Sequence, residues 1–128
     1  MANFLLFTRY NSNVIRLANN SLVDTVGLYK MALDVVEYPE DIAWLDLSFN
    51  DIETVSDDIL EFPALKMIYL HGNKIKRFSD LAKLQRLPHL YSLTLHGNPI
   101  ENYPNYRWER RKRDFQPFWL WENRGDFL

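Results

Sequence analysis

The side chains able to ligate a metal or move a proton are few, and their spacing narrows what they can do. Histidines stand at positions 71, 89 and 96, two of them in a shared phrase, Leu70-His71-Gly72-Asn73 and Leu95-His96-Gly97-Asn98. A catalytic zinc normally takes three protein ligands, and His89 follows Pro88 outside that phrase. Two imidazoles alone make a poor metal site; the His-Gly-Asn phrase reads better as a turn in which glycine allows close packing. Nucleophilic catalysis has no foothold: the chain has no cysteine, no Gly-x-Ser-x-Gly elbow, and no serine with a plausible histidine and acid partner. Four glycines, two of them in the shared phrase, leave neither a dinucleotide fingerprint nor a phosphate loop. No catalytic residue, cofactor, metal or small-molecule substrate is therefore expected.

Charge is concentrated in one place. Arg107, Arg110, Arg111, Lys112 and Arg113 form a basic run interrupted by Trp108 and Glu109. Such a run can bind acidic tubulin tails, a nucleic-acid backbone or a nuclear import receptor. The plainer reading is a solvated helix face that covers the end of the fold, because Glu101, Glu109, Asp114, Glu122 and Asp126 offset much of the charge.

The elements that must position these residues are set by an internal repeat. Ile42-Ala-Trp-Leu45-Asp-Leu47-Ser-Phe-Asn50-Asp-Ile52 matches Leu65-Lys-Met-Ile68-Tyr-Leu70-His-Gly-Asn73-Lys-Ile75 at every apolar and asparagine position. Leu90-Tyr-Ser-Leu93-Thr-Leu95-His-Gly-Asn98-Pro-Ile100 is a third copy. Ser12-Asn-Val-Ile15-Arg-Leu17-Ala-Asn-Asn20-Ser-Leu22 is a fourth, degenerate at its first position as terminal repeats are. Asn20, Asn50, Asn73 and Asn98 are 30, 23 and 25 residues apart, so the first interval carries extra length that should form a helix.

Within each copy the fourth and sixth positions alternate with polar residues, the period of a half-buried strand. The asparagine ends the strand, since its amide can both donate to and accept from backbone groups in a turn, and stacked asparagines would make a ladder. Return segments follow at helical spacing: Val55, Ile59, Leu60 and Phe62, then Phe78, Leu81, Leu84 and Leu87, ended by Pro63 and Pro88. Thr25 to Glu37 is the longest, with Val26, Tyr29, Leu33 and Val36 on one side, Asp24 as its cap and Pro39 beyond its end.

Composition sets the outer bounds. At 128 residues and 47% hydrophobic content the chain fits one domain with its own core. A net charge of −2 from 15 basic and 17 acidic residues gives no whole-chain field toward nucleic acid or an anionic membrane. Without cysteine the cross-links usual in small secreted domains are missing. The apolar start around Phe4-Leu5-Leu6-Phe7 has no basic residues before it and is too short for a signal peptide. The reading is a soluble, cytoplasmic chain.

On these motifs the sequence resembles the cytosolic leucine-rich-repeat families. The phrases that carry the likeness are Leu17-Ala-Asn-Asn-Ser-Leu22 with its long helical insert, Pro39-Glu-Asp-Ile-Ala-Trp-Leu-Asp-Leu-Ser-Phe-Asn-Asp-Ile52, Tyr69-Leu-His-Gly-Asn73 and Ser92-Leu-Thr-Leu-His-Gly-Asn-Pro99, spanning residues 15 to 107. The resemblance implies an α/β, right-handed leucine-rich-repeat solenoid with a concave parallel sheet and convex helical segments. It also implies a non-catalytic cytoplasmic scaffold working in cilia or flagella. The expected organisation is a repeat domain over 1–107, with repeats at 12–41, 42–64, 65–89 and 90–107, then an aromatic and basic end over 108–128. That end departs from the family, whose members follow the last repeat with a helix and a Leu-Pro-x-Leu-x-x-Leu-Asp cap. Phe115, Phe118, Trp119, Leu120 and Trp121 can replace the cap by folding back, or can dock on a partner.

In such a sheet the third and fifth positions of each copy face outward, about 4.8 Å from their counterparts on the next strand. One column is Val14, Trp44, Met67 and Ser92; the other is Arg16, Asp46, Tyr69 and Thr94. Trp and Tyr are enriched at interface hot spots. The expected binding face for another protein, axonemal or tubulin-associated, is therefore Arg16, Trp44, Asp46, Met67, Tyr69, His71, Thr94 and His96. Arg110, Arg111, Lys112, Arg113, Trp119 and Trp121 are the candidate contacts in the tail. The bland alternative for the aromatics is that they merely cover the sheet. A second functional reading is a ribonucleoprotein adaptor, since some small spliceosomal proteins use similar repeats, though nucleic acid is the less favoured partner and no membrane contact is expected.

Overall fold

The computed structural model describes residues 9–102. The basic run and the aromatic end, including Arg110, Arg111, Lys112, Arg113, Trp119 and Trp121, lie outside the described residues, as do the last residues of the fourth repeat. Each repeat contributes one three-residue strand: β1 (Val14–Arg16), β2 (Trp44–Asp46), β3 (Met67–Tyr69) and β4 (Ser92–Thr94). They pair in parallel in the order β1-β2-β3-β4, and the register sets equivalent repeat positions side by side, Ile15 beside Leu45, Ile68 and Leu93. That central row is buried, as is the next inward row from Leu47 through Leu70 and Leu95. Sequential strands meet only because the residues between them return across the other side of the core, as parallel pairing requires.

The strands stop after three residues, but their pairing does not. Beyond each strand the backbone continues to bond across repeats: Leu47 N–H to Tyr69 O at 2.9 Å, Phe49 N–H to His71 O at 3.0 Å, and Gly72 N–H to His96 O at 2.9 Å. The eighth repeat position then turns left-handed in every copy, with φ of 62° at Asn19, 56° at Phe49, 75° at Gly72 and 77° at Gly97. A left-handed residue breaks the pleat and carries the chain out of the sheet. A Cβ on Gly97 would sit 3.2 Å from Gly72 N, so glycine in the fourth repeat lets the two turns stack.

The repeat asparagine completes that turn. Asn73 Nδ2 donates to Leu70 O of its own repeat and to Leu47 O of the preceding one, both at 3.0 Å, while its Oδ1 accepts the Ile52 N–H at 3.0 Å. Asn98 repeats the arrangement one step on, with Leu95 O, Leu70 O and Ile75 N–H. Asn50 does so one step back, holding Leu47 O and Leu17 O and accepting the Asn20 and Leu22 N–H groups. A short amide thus satisfies buried backbone groups of two repeats at once. Among the described residues Asn20 meets no earlier repeat; it is exposed, and its side chain donates to Ala18 O at 3.0 Å.

The return segments are shorter and tighter than the helical spacing implies. They are 3-10 helices, Asp57–Glu61 and Phe78–Arg86, with Ile59, Phe78, Leu81 and Leu84 turned into the core. With repeats of 23 and 25 residues, few remain to span the back of each strand, and a 3-10 helix rises about 2.0 Å per residue against 1.5 Å for an α-helix. The longer first interval leaves room for an α-helix, α1 (Leu28–Val35).

Two expectations about that helix are corrected. It starts at Leu28 with Gly27 at its N-cap and no side-chain cap, while Asp24 instead accepts the Val26 N–H at 3.0 Å in a turn ahead of it. Because Val26 precedes the helix, the predicted stripe is out of phase. The buried residues are Leu28, Ala32 and Val36, four apart, with Tyr29 half-buried, whereas Val26 and Leu33 are exposed. Tyr29 packs edge-on against Phe62 with ring centroids 5.1 Å apart, which ties α1 to the next return segment. The chain enters beside the end of this helix, where Tyr10 bridges to Val36.

Candidate functional site

The two columns expected from the repeat are the columns of the sheet, but their β4 members, Ser92 and the predicted contact residue Thr94, are buried and not outward-exposed. Val14, Trp44, Met67 and Ser92 are register partners, and so are Arg16, Asp46, Tyr69 and Thr94. Side chains from these columns and from the rim behind them join into one chain of ring contacts. The Arg16 guanidinium lies 5.0 Å over the Trp44 ring. Trp44 meets Tyr69 edge to face at 5.2 Å, and Tyr69 meets His71 at 5.5 Å. His71 then stacks on His96 at 4.6 Å and 10°, and takes the edge of Phe49 at 5.1 Å and 88°. All four repeats contribute to this array.

His71 is its pivot. Its Nδ1 lies 2.7 Å from Thr94 Oγ1, and the same hydroxyl oxygen accepts the Leu70 N–H at 3.2 Å. The hydroxyl keeps a second lone pair, so this bond runs either way: Thr94 donates to Nδ1 when the ring proton is on Nε2, and accepts from Nδ1–H in the other tautomer. Burial lowers the His71 pKa below its ordinary 6.5, the neighbouring His96 lowers it further, and Asp46 opposes them. The neutral imidazole is the form the site favours at neutral pH. Thr94 is only 8% exposed, so it lies beneath His71 and orients it, and Ser92 is 7% exposed beside it. Arg16 and His96 are exposed, while Trp44, Asp46, Met67, Tyr69 and His71 are half-buried.

Polar groups on the face are unevenly committed. Asp46 Oδ1 accepts from Ser48 N at 3.1 Å and Ser48 Oγ at 2.7 Å, which folds the carboxylate toward its own strand end. Trp44 Nε1–H is shielded from solvent and has no acceptor among the described residues. A buried donor left unsatisfied costs about 1 to 3 kcal/mol, which is unusual in a native fold.

Phe49 is the residue that sequence reasoning missed. It is 55% exposed, has a left-handed backbone, and lies against Gly72, where an added Cβ would come within 2.5 Å of its Cδ1. The equivalent positions are Asn19, Gly72 and Gly97. An aromatic at a position where asparagine and glycine are at ease is the signal that marks it out. Holding a bulky side chain left-handed costs roughly 1 to 2 kcal/mol, and such strain collects at functional positions.

His89 stands in the turn at Pro88-His89, outside the ring array. Among the described residues no group of three or more His, Cys, Asp or Glu side chains is placed to hold a metal ion. Among them, too, no helix is long and apolar enough to cross a membrane. The face is a row of aromatic edges and polar ring atoms on a parallel sheet.

The fold and its repeat signature define the class. A leucine-rich-repeat family model matches residues 41–100, and with the four-stranded parallel sheet and its asparagine ladder this makes the chain a leucine-rich-repeat protein. Leucine-rich repeats generally mediate protein–protein interaction, and proteins built on them are typically non-catalytic scaffolds. In sequence the chain is similar to leucine-rich repeat-containing protein 51 of Homo sapiens, 46% identical over 91 residues that cover 71% of this chain and 47% of that protein. The chain thus spans about half the length of the curated relatives it matches. It is also similar to leucine-rich repeat-containing protein 23 of Bos taurus, 34% identical over 93 residues, 73% of this chain and 25% of that protein. Among solved structures it resembles a chain of the Drosophila melanogaster SNF/U2A' complex, with a TM-score of 0.64 and 27% identity over 85% of this chain and 56% of that one. The Mex67 leucine-rich-repeat domain from Chaetomium thermophilum is similar at a TM-score of 0.61 and 26% identity, over 81% of this chain and 78% of that domain.

Proposed function

We propose that the chain is a non-catalytic adaptor whose concave sheet face grips a segment of another protein, in a ciliary, flagellar or other cytoskeletal assembly of the cytoplasm. The observation that carries the reading is the unbroken ring array from Arg16 through Trp44, Tyr69 and His71 to Phe49 and His96. Aromatic side chains on a rigid scaffold are the usual anchors of a protein interface, and an outward apolar ridge of this kind calls for a partner. The cytoskeletal setting rests on the family resemblance alone. The test is affinity capture from ciliated cells with the full chain and with the Trp44→Ala, Tyr69→Ala double variant. Specific partners should be lost from the variant, and partners retained unchanged would rule the concave face out. Imaging the tagged protein in the same cells tests the setting, since a nuclear signal would contradict it.

A second reading, a ribonucleoprotein adaptor, is favoured by the similarity to a chain of the SNF/U2A' complex. It predicts salt-sensitive RNA binding that disappears when Arg110, Arg111, Lys112 and Arg113 are neutralised together. Absence of RNA binding at low salt would end it.

A further inference from the structure

The protein-binding reading leaves open what chemistry the partner carries, and the hydrogen-bond inventory of the face addresses it. Three donors lie along one line of the array and lack acceptors among the described residues. The Arg16 guanidinium has no carboxylate partner and rests on the Trp44 ring. Trp44 Nε1–H is shielded and unsatisfied. His71 Nε2 is the ring nitrogen left over, Nδ1 being engaged with Thr94, and it is a donor in the tautomer in which Thr94 donates to Nδ1. One oxygen of the carboxylate on the same face is engaged: Asp46, the register neighbour of Arg16, is tied to Ser48 through Oδ1 and forms no ion pair with Arg16 among the described residues. A face whose donors lack partners is complementary to a ligand rich in acceptors, and charge-assisted bonds to a carboxylate are the strongest of that kind.

We infer that the partner segment gripped by the concave face is acidic, with carboxylates received by Arg16 beside the Trp44 ring and by His71 Nε2. This rests on the protein-binding reading and specifies its partner chemistry. Arg16 lies on β1 and His71 just beyond β3, so the donors are spread over three strands, about 9 to 10 Å at the spacing of parallel neighbours. That span fits successive acidic side chains of one segment better than a single small anion.

The experiment uses the full chain and three fluorescein-labelled peptides of alternating residues, Glu with Val, Gln with Val, and Lys with Val, followed by fluorescence anisotropy. The Trp44 indole resonance, assigned with Trp44→Phe, is followed in parallel by NMR. The Glu peptide should bind about tenfold tighter than the Gln peptide and should shift the Trp44 indole signal. Arg16→Gln, at an exposed position, should bring the two peptides level without moving the unfolding midpoint, and Asp46→Asn should tighten the Glu peptide further. No binding of the Glu peptide, equal binding of the Gln or Lys peptide, or a Glu preference that survives Arg16→Gln would each overturn the inference. Tighter, Arg16-dependent binding of a single-stranded RNA of mixed sequence would assign the donors to phosphate, and an Arg16-dependent dimer in sedimentation would assign the face to a second copy; both overturn it. The adaptor reading fails separately, by partner capture indifferent to Trp44→Ala with Tyr69→Ala.

Discussion

Replacing Asn73 by alanine and Asn20 by alanine tests how the repeats are held together, because the two residues occupy the same repeat position with different surroundings. Asn73 is 5% exposed and makes three bonds of 3.0 Å, to Leu47 O, Leu70 O and Ile52 N–H. When its amide is removed the two carbonyls keep a partner: Leu47 O still receives Asn50 Nδ2 at 3.0 Å and Leu70 O still receives Asn98 Nδ2 at 2.8 Å. The Ile52 N–H is left unsatisfied in the core at roughly 1 to 3 kcal/mol, and the lost bonds to the carbonyls add about 1 kcal/mol. The expected cost is about 2 to 4 kcal/mol, a large part of the 5 to 15 kcal/mol that typically holds a domain together. Asn20 is exposed with one bond, so Asn20→Ala should cost less than about 1 kcal/mol. In urea unfolding followed by circular dichroism, with a slope near 2 kcal/mol/M, Asn73→Ala should lower the midpoint by roughly 1 to 2 M and Asn20→Ala by under about 0.5 M. Equal shifts would refute the claim that the buried asparagines staple one repeat to the next.

Two further outcomes follow from the rim. Gly72→Ala should destabilise by about 1 to 3 kcal/mol, from its left-handed backbone and the contact with Phe49. Adding Phe49→Asn, which suits the left-handed turn and removes that ring, should make the double variant more stable than the sum of the singles, as read by a double-mutant cycle; simple additivity would mean the two do not touch. Protonation gives the second. The His71 pKa is depressed in the fold, so the unfolded chain binds the proton more readily and stability falls as pH drops below 6.5. Above that pH the His71 contribution is intact. The midpoint difference between wild type and His71→Gln should therefore shrink between pH 8 and pH 5.5; a constant difference would contradict the assignment of burial and His96 as its causes.

The sheet was the most legible part of the molecule, because repeat position dictates strand register directly. Trp44, Met67, Asp46 and Tyr69 could be placed on adjacent strands from the spacing of Asn50 and Asn73 alone. The convex side was legible in its apolar residues but not in its helix type. Ile59, Leu81 and Leu84 are inward-facing as read, yet 3-10 geometry follows from how far each return must stretch, a property of the assembled solenoid. For α1 the stripe was misphased because Val26 looks like a helical residue until Gly27, with its φ of 83°, starts the helix after it. In the candidate site, the neighbourhood of His71 and His96 could be read from their shared repeat position, whereas the Thr94 bond that orients His71 could not. It depends on a rotamer reaching between strands. Phe49 was hidden because a turn position is usually read for backbone needs alone.

Site-specific photo-crosslinking tests the central claim most directly. A photoreactive phenylalanine analogue introduced at Tyr69, on the concave face, and separately at Leu33, on the exposed side of α1, would be activated in cells. The account predicts a discrete protein adduct from position 69 that is lost on Trp44→Ala, and none from position 33. Adducts from position 33 in the absence of any from position 69 would contradict it.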